Sequence, residues 1–223
     1  MRISDLTVDE EFESVIPPLT DEEFELLKES ILDDGEVYHP LVVWNNIIVD
    51  GHHRYKILKE HAELKYRITK REFENRYEVI SWICLNQLGR RNLSGLQKQI
   101  LIGRKFKAEK STYGETHDFR GNQYTEVLSP QNEGIAKCKN PTAENIGKEL
   151  GVSHGTVERA EKIVDGVDAA EEVLPGVTRD ITSGKIKPKQ SDVAAIAKAP
   201  AEERRQLAEN LYKEPTPEEK AQK

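Results

Sequence analysis

The sequence predicts an α+β protein: a small mixed head, residues 1–73, followed by an all-helical body. Three observations carry this. A capped helix, two short apolar runs and a second helix crowd into residues 20–60. Strand signals stop near Glu74, after which apolar residues recur at helical spacing. Thr142 to Ile163 then has the pattern of two helices joined by a tight turn.

In the head, Thr20 is the expected N-cap and Glu23, three residues on, its capping-box partner. Phe24, Leu27 and Ile31 supply the apolar stripe of that helix, and Gly35 ends it. Leu41-Val42-Val43-Trp44 and Ile47-Ile48-Val49 read as hairpin strands joined at Asn45-Asn46, residues that tolerate a left-handed backbone. A helix opening at His52 follows, then a strand expected over Lys65 to Thr69.

The body, residues 74–165, is expected to hold one helix with Tyr77, Ile80, Trp82, Ile83 and Leu88, and another from Leu96 to Lys110. Ser111 to Pro141 is polar and aperiodic and reads as a long loop or insertion. Residues 166–212 are expected to form a helical extension: Asp168 to Leu174, Val177 to Ser183, Asp192 to Ala199 and Ala201 to Tyr212. Residues 213–223 read as a frayed tail.

With 36% hydrophobic and 33% charged residues, the chain supports small cores under solvated helices. No segment has the length and apolarity of a membrane span. Cys84 and Cys138 lack metal-ligand spacing and read as reduced thiols of a cytoplasmic protein. The net charge of −7 alone argues against nucleic acid, but its distribution does not. Residues 1–60 hold five Lys/Arg against fifteen Asp/Glu, whereas residues 89–163 hold thirteen against nine.

Within 142–163, Thr142 caps the first helix, Ile146 and Leu150 face its partner, and Gly147 sits where the helices must approach closely. Gly151 supplies the turn, Val152 plugs the core, and Ser153 caps the second helix, which Val157 and Ala160 pack back on the first. This is the layout of a helix-turn-helix, leaving His154, Thr156, Arg159 and Lys162 to face a major groove. An ordinary helical hairpin is the plainer alternative. Double-stranded DNA is the implied partner, with Lys98, Arg104 and Lys105 of the preceding basic helix expected on its backbone.

Asp50-Gly51-His52-His53-Arg54 is the second informative stretch. A strand that turns directly into a helix leaves backbone N–H groups unpaired, and with Arg54 beside them the spot suits an oxyanion. The alternative for Arg54 is a structural ion pair with Asp50 or Asp21. Adjacent His52 and His53 point about a hundred degrees apart, which disfavours joint metal chelation, and no metal site is expected.

At these residues the chain resembles the ParB/sulfiredoxin superfamily. His39-Pro40-Leu41-Val42-Val43 and Ile48-Val49-Asp50-Gly51-His52-His53-Arg54-Tyr55 look like its N-terminal box. Asn86 to Ser94, which includes Arg90 and Arg91, is similar to the next ParB box, and Ile181 to Ile186 looks like the downstream helical segment. The resemblance spans most of residues 16–212.

It implies a ParB/sulfiredoxin-like head followed by a ParB-type helix-turn-helix domain, acting as a plasmid or mobile-element partition factor or transcription regulator. It also implies a phosphate or nucleotide site at Gly51, His52, His53, Arg54 and Arg90, taking CTP or ATP with Mg²⁺, and DNA contacts from Arg91, Lys98, Arg104, Lys105, Ser153, His154, Thr156 and Arg159. Of the family's Gly-Glu-Arg-Arg motif only Gly51 and Arg54 carry over; of Glu-Asn-x-x-Arg only Arg90 does. Asn86 stands where that motif has its glutamate, so the resemblance implies binding more than hydrolysis. A sulfiredoxin would need cysteine at His52. Free-serine kinases of the superfamily share Asp-Gly-His-His-Arg, which gives the alternative of an enzyme with Glu36 as general base; a metal-dependent nuclease would need carboxylates the spacing does not assemble. Self-association would come from outside any recognisable dimerisation domain.

Overall fold

The computed structural model describes residues 2–90, 92–116 and 141–213. Its sheet contains β1 (Leu41–Trp44), β2 (Ile47–Asp50) and β3 (Ile68–Lys70), in the spatial order β2-β1-β3. The β1–β2 pair is antiparallel and β1–β3 is parallel. Asn45 and Asn46 both have positive φ, 48° and 66°, as a two-residue hairpin requires. The third strand starts later than the sequence indicates; Lys65 instead makes an isolated bridge to Glu36.

The head helices are α1 (Glu10–Val15), capped by Asp9, α2 (Asp21–Asp34) and α3 (His52–Glu60). Thr20 and Glu23 form the expected reciprocal capping box of α2. Alternation along the strands sends side chains to two cores. Leu41, Val43 and Ile48 pack with Ile31, Ile57 and Leu58 under α2 and α3. Val49 on the opposite face packs with Phe12 and Val15 of α1, Val79 and Ile83 of α4 (Arg76–Leu88), and Leu101 of α5 (Gly95–Thr116). Head and body therefore share a core.

The remaining helices are α6 (Pro141–Leu150), α7 (His154–Val173), α8 (Val177–Thr182), α9 (Gln190–Lys198) and α10 (Ala201–Asn210). Three consecutive residues of α5 face three different cores. Leu101 enters the one just described, Ile102 packs with Ile146 and Val157 of α6 and α7, and Ile100 joins Val167, Ile181 and Ile196. A helix buried on so many sides is a central post, not a solvated basic helix.

Two stretches read as separate from the helices before them continue those helices. The segment from Ser111 to Thr116 continues α5, and the rest of the expected insertion, 117–140 with Cys138, lies outside the described residues, as do Arg91 and the tail from 214. Asp168 to Leu174 is not a separate helix either; α7 runs unbroken to Val173 because Val164, Val167 and Ala170 extend its apolar face into the last core. Among the described residues no helix is long and apolar enough to cross a membrane.

Candidate functional site

β2 delivers the chain into α3 through Gly51, whose φ of 101° favours glycine. A Cβ here would also lie 2.7 Å from Leu41 Cδ2, so the position is closed to larger residues on two counts. With no side chain to cap the helix, its first N–H groups stay available. Around them lies a cavity of about 370 Å³, and Gly51, His52, His53, Arg54 and Arg90 all line it. The structure thus brings together five residues from two separated sequence boxes.

Arg54 is not free within that cavity. One guanidinium nitrogen donates to the carbonyls of His39 and Pro40 at 2.7 and 2.9 Å, and the other to Asp50 at 2.7 Å. It staples the entry of β1 to the exit of β2, which is the ion-pair alternative with Asp50; Asp21 plays no part. Arg90 is exposed at the rim. Glu23 also lines the cavity, but its carboxylate accepts from the Thr20 N–H at 2.9 Å as part of the α2 cap.

His52 is only 2% exposed, and neither ring nitrogen has a hydrogen-bond partner. Burial pulls its pKa down to about 4, against the opposing pull of Glu13 and Asp50. His53 is half-buried with its ring edge-on to Phe24, and its pKa is lowered too, chiefly by burial and then by Lys56 and Arg90. The His52 ring is therefore neutral at pH 7, and the anion-attracting groups of the cavity are the α3 N–H groups and Arg90. Sequence reasoning missed Ile16 and Leu19 in its wall, since nothing in that short stretch signals a contact with α3.

Glu36 does not line this cavity; its backbone bridges to Lys65, away from the role of general base. No cluster of His, Cys, Asp or Glu suited to a metal ion occurs among the described residues. Cys84 is fully buried on α4, and burial pushes its thiol up to about 12.

The second candidate surface is the start of α7. Ser153 caps it by accepting from the Thr156 N–H at 3.2 Å, and a Cβ on Gly147 would come within 2.7 Å of the Val152 carbonyl, fixing how closely α6 approaches the turn. His154, Arg159 and Lys162 are exposed, and Thr156 is half-buried. Arg159 folds along its own helix, donating to the Gly155 carbonyl at 3.0 Å and to the Thr156 hydroxyl at 3.2 Å. Glu161 turns back to Lys110, 2.6 Å away, so its charge leaves the exposed face.

The expected grip from α5 does not form as read. Lys105 is 3% exposed and held by Glu109 at 2.6 Å and Glu149 at 3.1 Å, which rules out a phosphate contact. Arg104 donates to the Ser14 carbonyl at 2.7 Å, tying α5 to α1. Lys107 pairs with Asp165 and Asp168. Of the α5 cations expected on DNA, Lys98 is the exposed one.

No family model matches the sequence. No curated protein is similar to it at a significant level. Solved structures are. One form of a pNOB8-like ParB N-domain superposes with a TM-score of 0.55 at 17% identity, covering 89% of this chain and 78% of that one. A second structure of the pNOB8-like ParB N-domain gives 0.50 at 19% identity over 89% and 73%. A C-terminally truncated ParB from Caulobacter crescentus complexed with CTP-gamma-S aligns over 95% of this chain and 97% of its own at 17% identity, but a TM-score of 0.34 makes it no guide to geometry here. The α+β head with its three-stranded sheet, set on a helical body, is the fold of a ParB N-domain.

Proposed function

We propose that the chain is a ParB-like DNA-binding protein, a partition or regulatory factor, whose head binds a phosphate-bearing ligand. The observation that carries the DNA reading is the exposed start of α7. His154, Arg159 and Lys162 face solvent there while Glu161 is drawn back to Lys110. On this reading α6 and α7 form a helix-turn-helix, Arg159 leaves Thr156 to reach a base edge or phosphate, and Lys98 contacts backbone. The similarity of fold to pNOB8-like ParB N-domains supports the assignment.

The head is read as a phosphate site. Gly51 opens α3 toward the cavity, Arg90 supplies an exposed positive charge, and His52, His53 and Arg54 shape the wall. Arg54 acts mainly by holding Asp50 and the β1 entry in place, so that the first turn of α3 keeps its direction. A nucleotide such as CTP or ATP with Mg²⁺ is the expected occupant.

Fragments selected from random double-stranded DNA, then titrated by fluorescence anisotropy at two salt concentrations, test the DNA reading. Arg159→Ala is expected to lower affinity about tenfold. Absence of any binding by the intact chain at low salt would remove it.

A further inference from the structure

A second cavity, of about 380 Å³, lies between the head and the C-terminal helices, walled by α1, α3, the end of α7 and α8. We propose that it is a binding site in its own right, for a small zwitterion of amino-acid or dipeptide size whose carboxylate is held by Arg179 of α8 and whose ammonium is held by Glu10 of α1. Its occupancy requires nothing of the cavity at Gly51.

The charges in its walls fall into two groups. Glu13 pairs with Lys56 at 2.7 Å, and Glu171 accepts from the N–H groups of Gly176 and Thr178 at 2.7 and 2.8 Å, so these are committed within the protein. The side chains of Glu10 and Arg179 are exposed and make no ion pair or hydrogen bond among the described residues. Asp180, next to Arg179 in sequence, is itself taken by Lys185 at 3.1 Å and by the Tyr212 hydroxyl at 2.8 Å. One free anion on the head and one free cation on the extension thus border the same cavity. A phosphate there would meet Arg179 but also three carboxylates, and a simple amine would satisfy Glu10 and leave Arg179 facing a second cation. A zwitterion answers both, with the guanidinium forked onto its carboxylate. Ile16 and Pro18 are the only apolar residues in the lining, too few for an apolar ligand.

His52 carries the same inference from a separate direction. It is 2% exposed, belongs to this wall, and has neither ring nitrogen bonded. A neutral imidazole offers one donor and one acceptor, so a ligand side chain ending in an amide or hydroxyl would satisfy a buried group that the protein leaves unpaired. The volume, near the lower end of the roughly 300–1,000 Å³ of small-molecule sites, suits one or two amino-acid residues and not a longer peptide. A ligand held this way joins α1 to α8 and makes the C-terminal helices part of a binding site.

Isothermal titration of the full chain with each proteinogenic L-amino acid and with alanyl-glutamine, at millimolar concentration, tests this. At least one is expected to bind, and its N-acetyl and C-terminal amide derivatives, each lacking one of the two charges, are expected to bind about tenfold more weakly. His52 borders both cavities, so the ligand is assigned by variants of Glu10 and Arg179, which line this one and not the other. Arg179→Ala should abolish the preference for the free carboxylate over the amide, and Glu10→Gln the preference for the free ammonium over the N-acetyl form, while Arg90→Ala leaves the affinity unchanged. No binding by any of these compounds overturns the proposal, and so does a derivative that binds the parent chain as well as the zwitterion. Affinity that survives Arg179→Ala and Glu10→Gln but falls in Arg90→Ala puts the ligand in the first cavity and also overturns it, with the phosphate reading untouched. Both substituted side chains are on the surface, so the variants are expected to keep the far-ultraviolet spectrum of the parent.

Discussion

Arg54 holds three acceptors with one planar group, two adjacent backbone carbonyls and the Asp50 carboxylate, and its removal has a defined cost. Arg54→Ala leaves the half-buried Asp50 carboxylate unpaired and the His39 and Pro40 carbonyls without a donor, for an expected loss of about 2–4 kcal/mol in urea unfolding. Arg54→Lys should recover little, since an ammonium cannot bridge all three. The Asp50 pairing was legible in the sequence as one of two alternatives, beside Asp21; the two carbonyls were not, because a backbone acceptor leaves no residue-type signature. His52 gives a pH dependence. Its folded pKa of about 4 lies below the ordinary 6.5, so the unfolded chain binds the proton more readily. Stability from this group is complete above about pH 6.5 and falls as the pH drops toward 4, by on the order of 3 kcal/mol in all. His52→Leu is expected to flatten the stability curve over that window, once the parallel contribution of the depressed His53 is allowed for. An unchanged slope in chemical unfolding between pH 4 and 6.5 would contradict it.

Among the elements, those defined by neighbouring residues were readable: the Thr20–Glu23 capping box, the Asn45-Asn46 hairpin and the Ser153 cap all depend on separations of three residues or fewer. The role of α5 was not. Its lysines have the spacing of a solvated basic face, but their partners Glu149, Glu161, Asp165 and Asp168 lie tens of residues away, on helices whose position only the tertiary fold decides. Lys105→Met is therefore expected to cost about 1–3 kcal/mol of stability and to leave the salt dependence of DNA affinity unchanged. Lys98→Ala should do the reverse, keeping stability and reducing the salt slope by about one. Packing around the same helix is tight. A Cβ on Gly103 would stand 2.3 Å from the Ala160 carbonyl of α7, so Gly103→Ala should force α5 and α7 apart and destabilise by about 1–3 kcal/mol or more, measurable by thermal unfolding.

For the whole molecule, the shared core behind the sheet sets the cooperativity. Phe12 and Val15 of the head pack against Val79, Ile83 and Leu101 of the body, so the two parts are expected to unfold together. Tryptophan fluorescence, which reports Trp44 and Trp82 beside that core, and far-ultraviolet dichroism, which reports the helices, should give coincident transitions; two separated midpoints would show independent domains. The same interior pairing changes the meaning of the charge distribution. Among the described residues, the basic excess counted over residues 89–163 is partly neutralised by ion pairs within the helical body, while His154, Arg159 and Lys162 stay exposed on α7.

α7 reaches from the outer surface into the last core. The outward face of its first turns and its buried second half belong to a single rod of twenty residues, about 30 Å long. Pivoting that rod by about 3° around its embedded end displaces the far tip by an ångström or two. Repacking beneath Val167 or Ile196 would thus be magnified into a shift comparable to the tolerance of a hydrogen bond, with no hinge anywhere along the way.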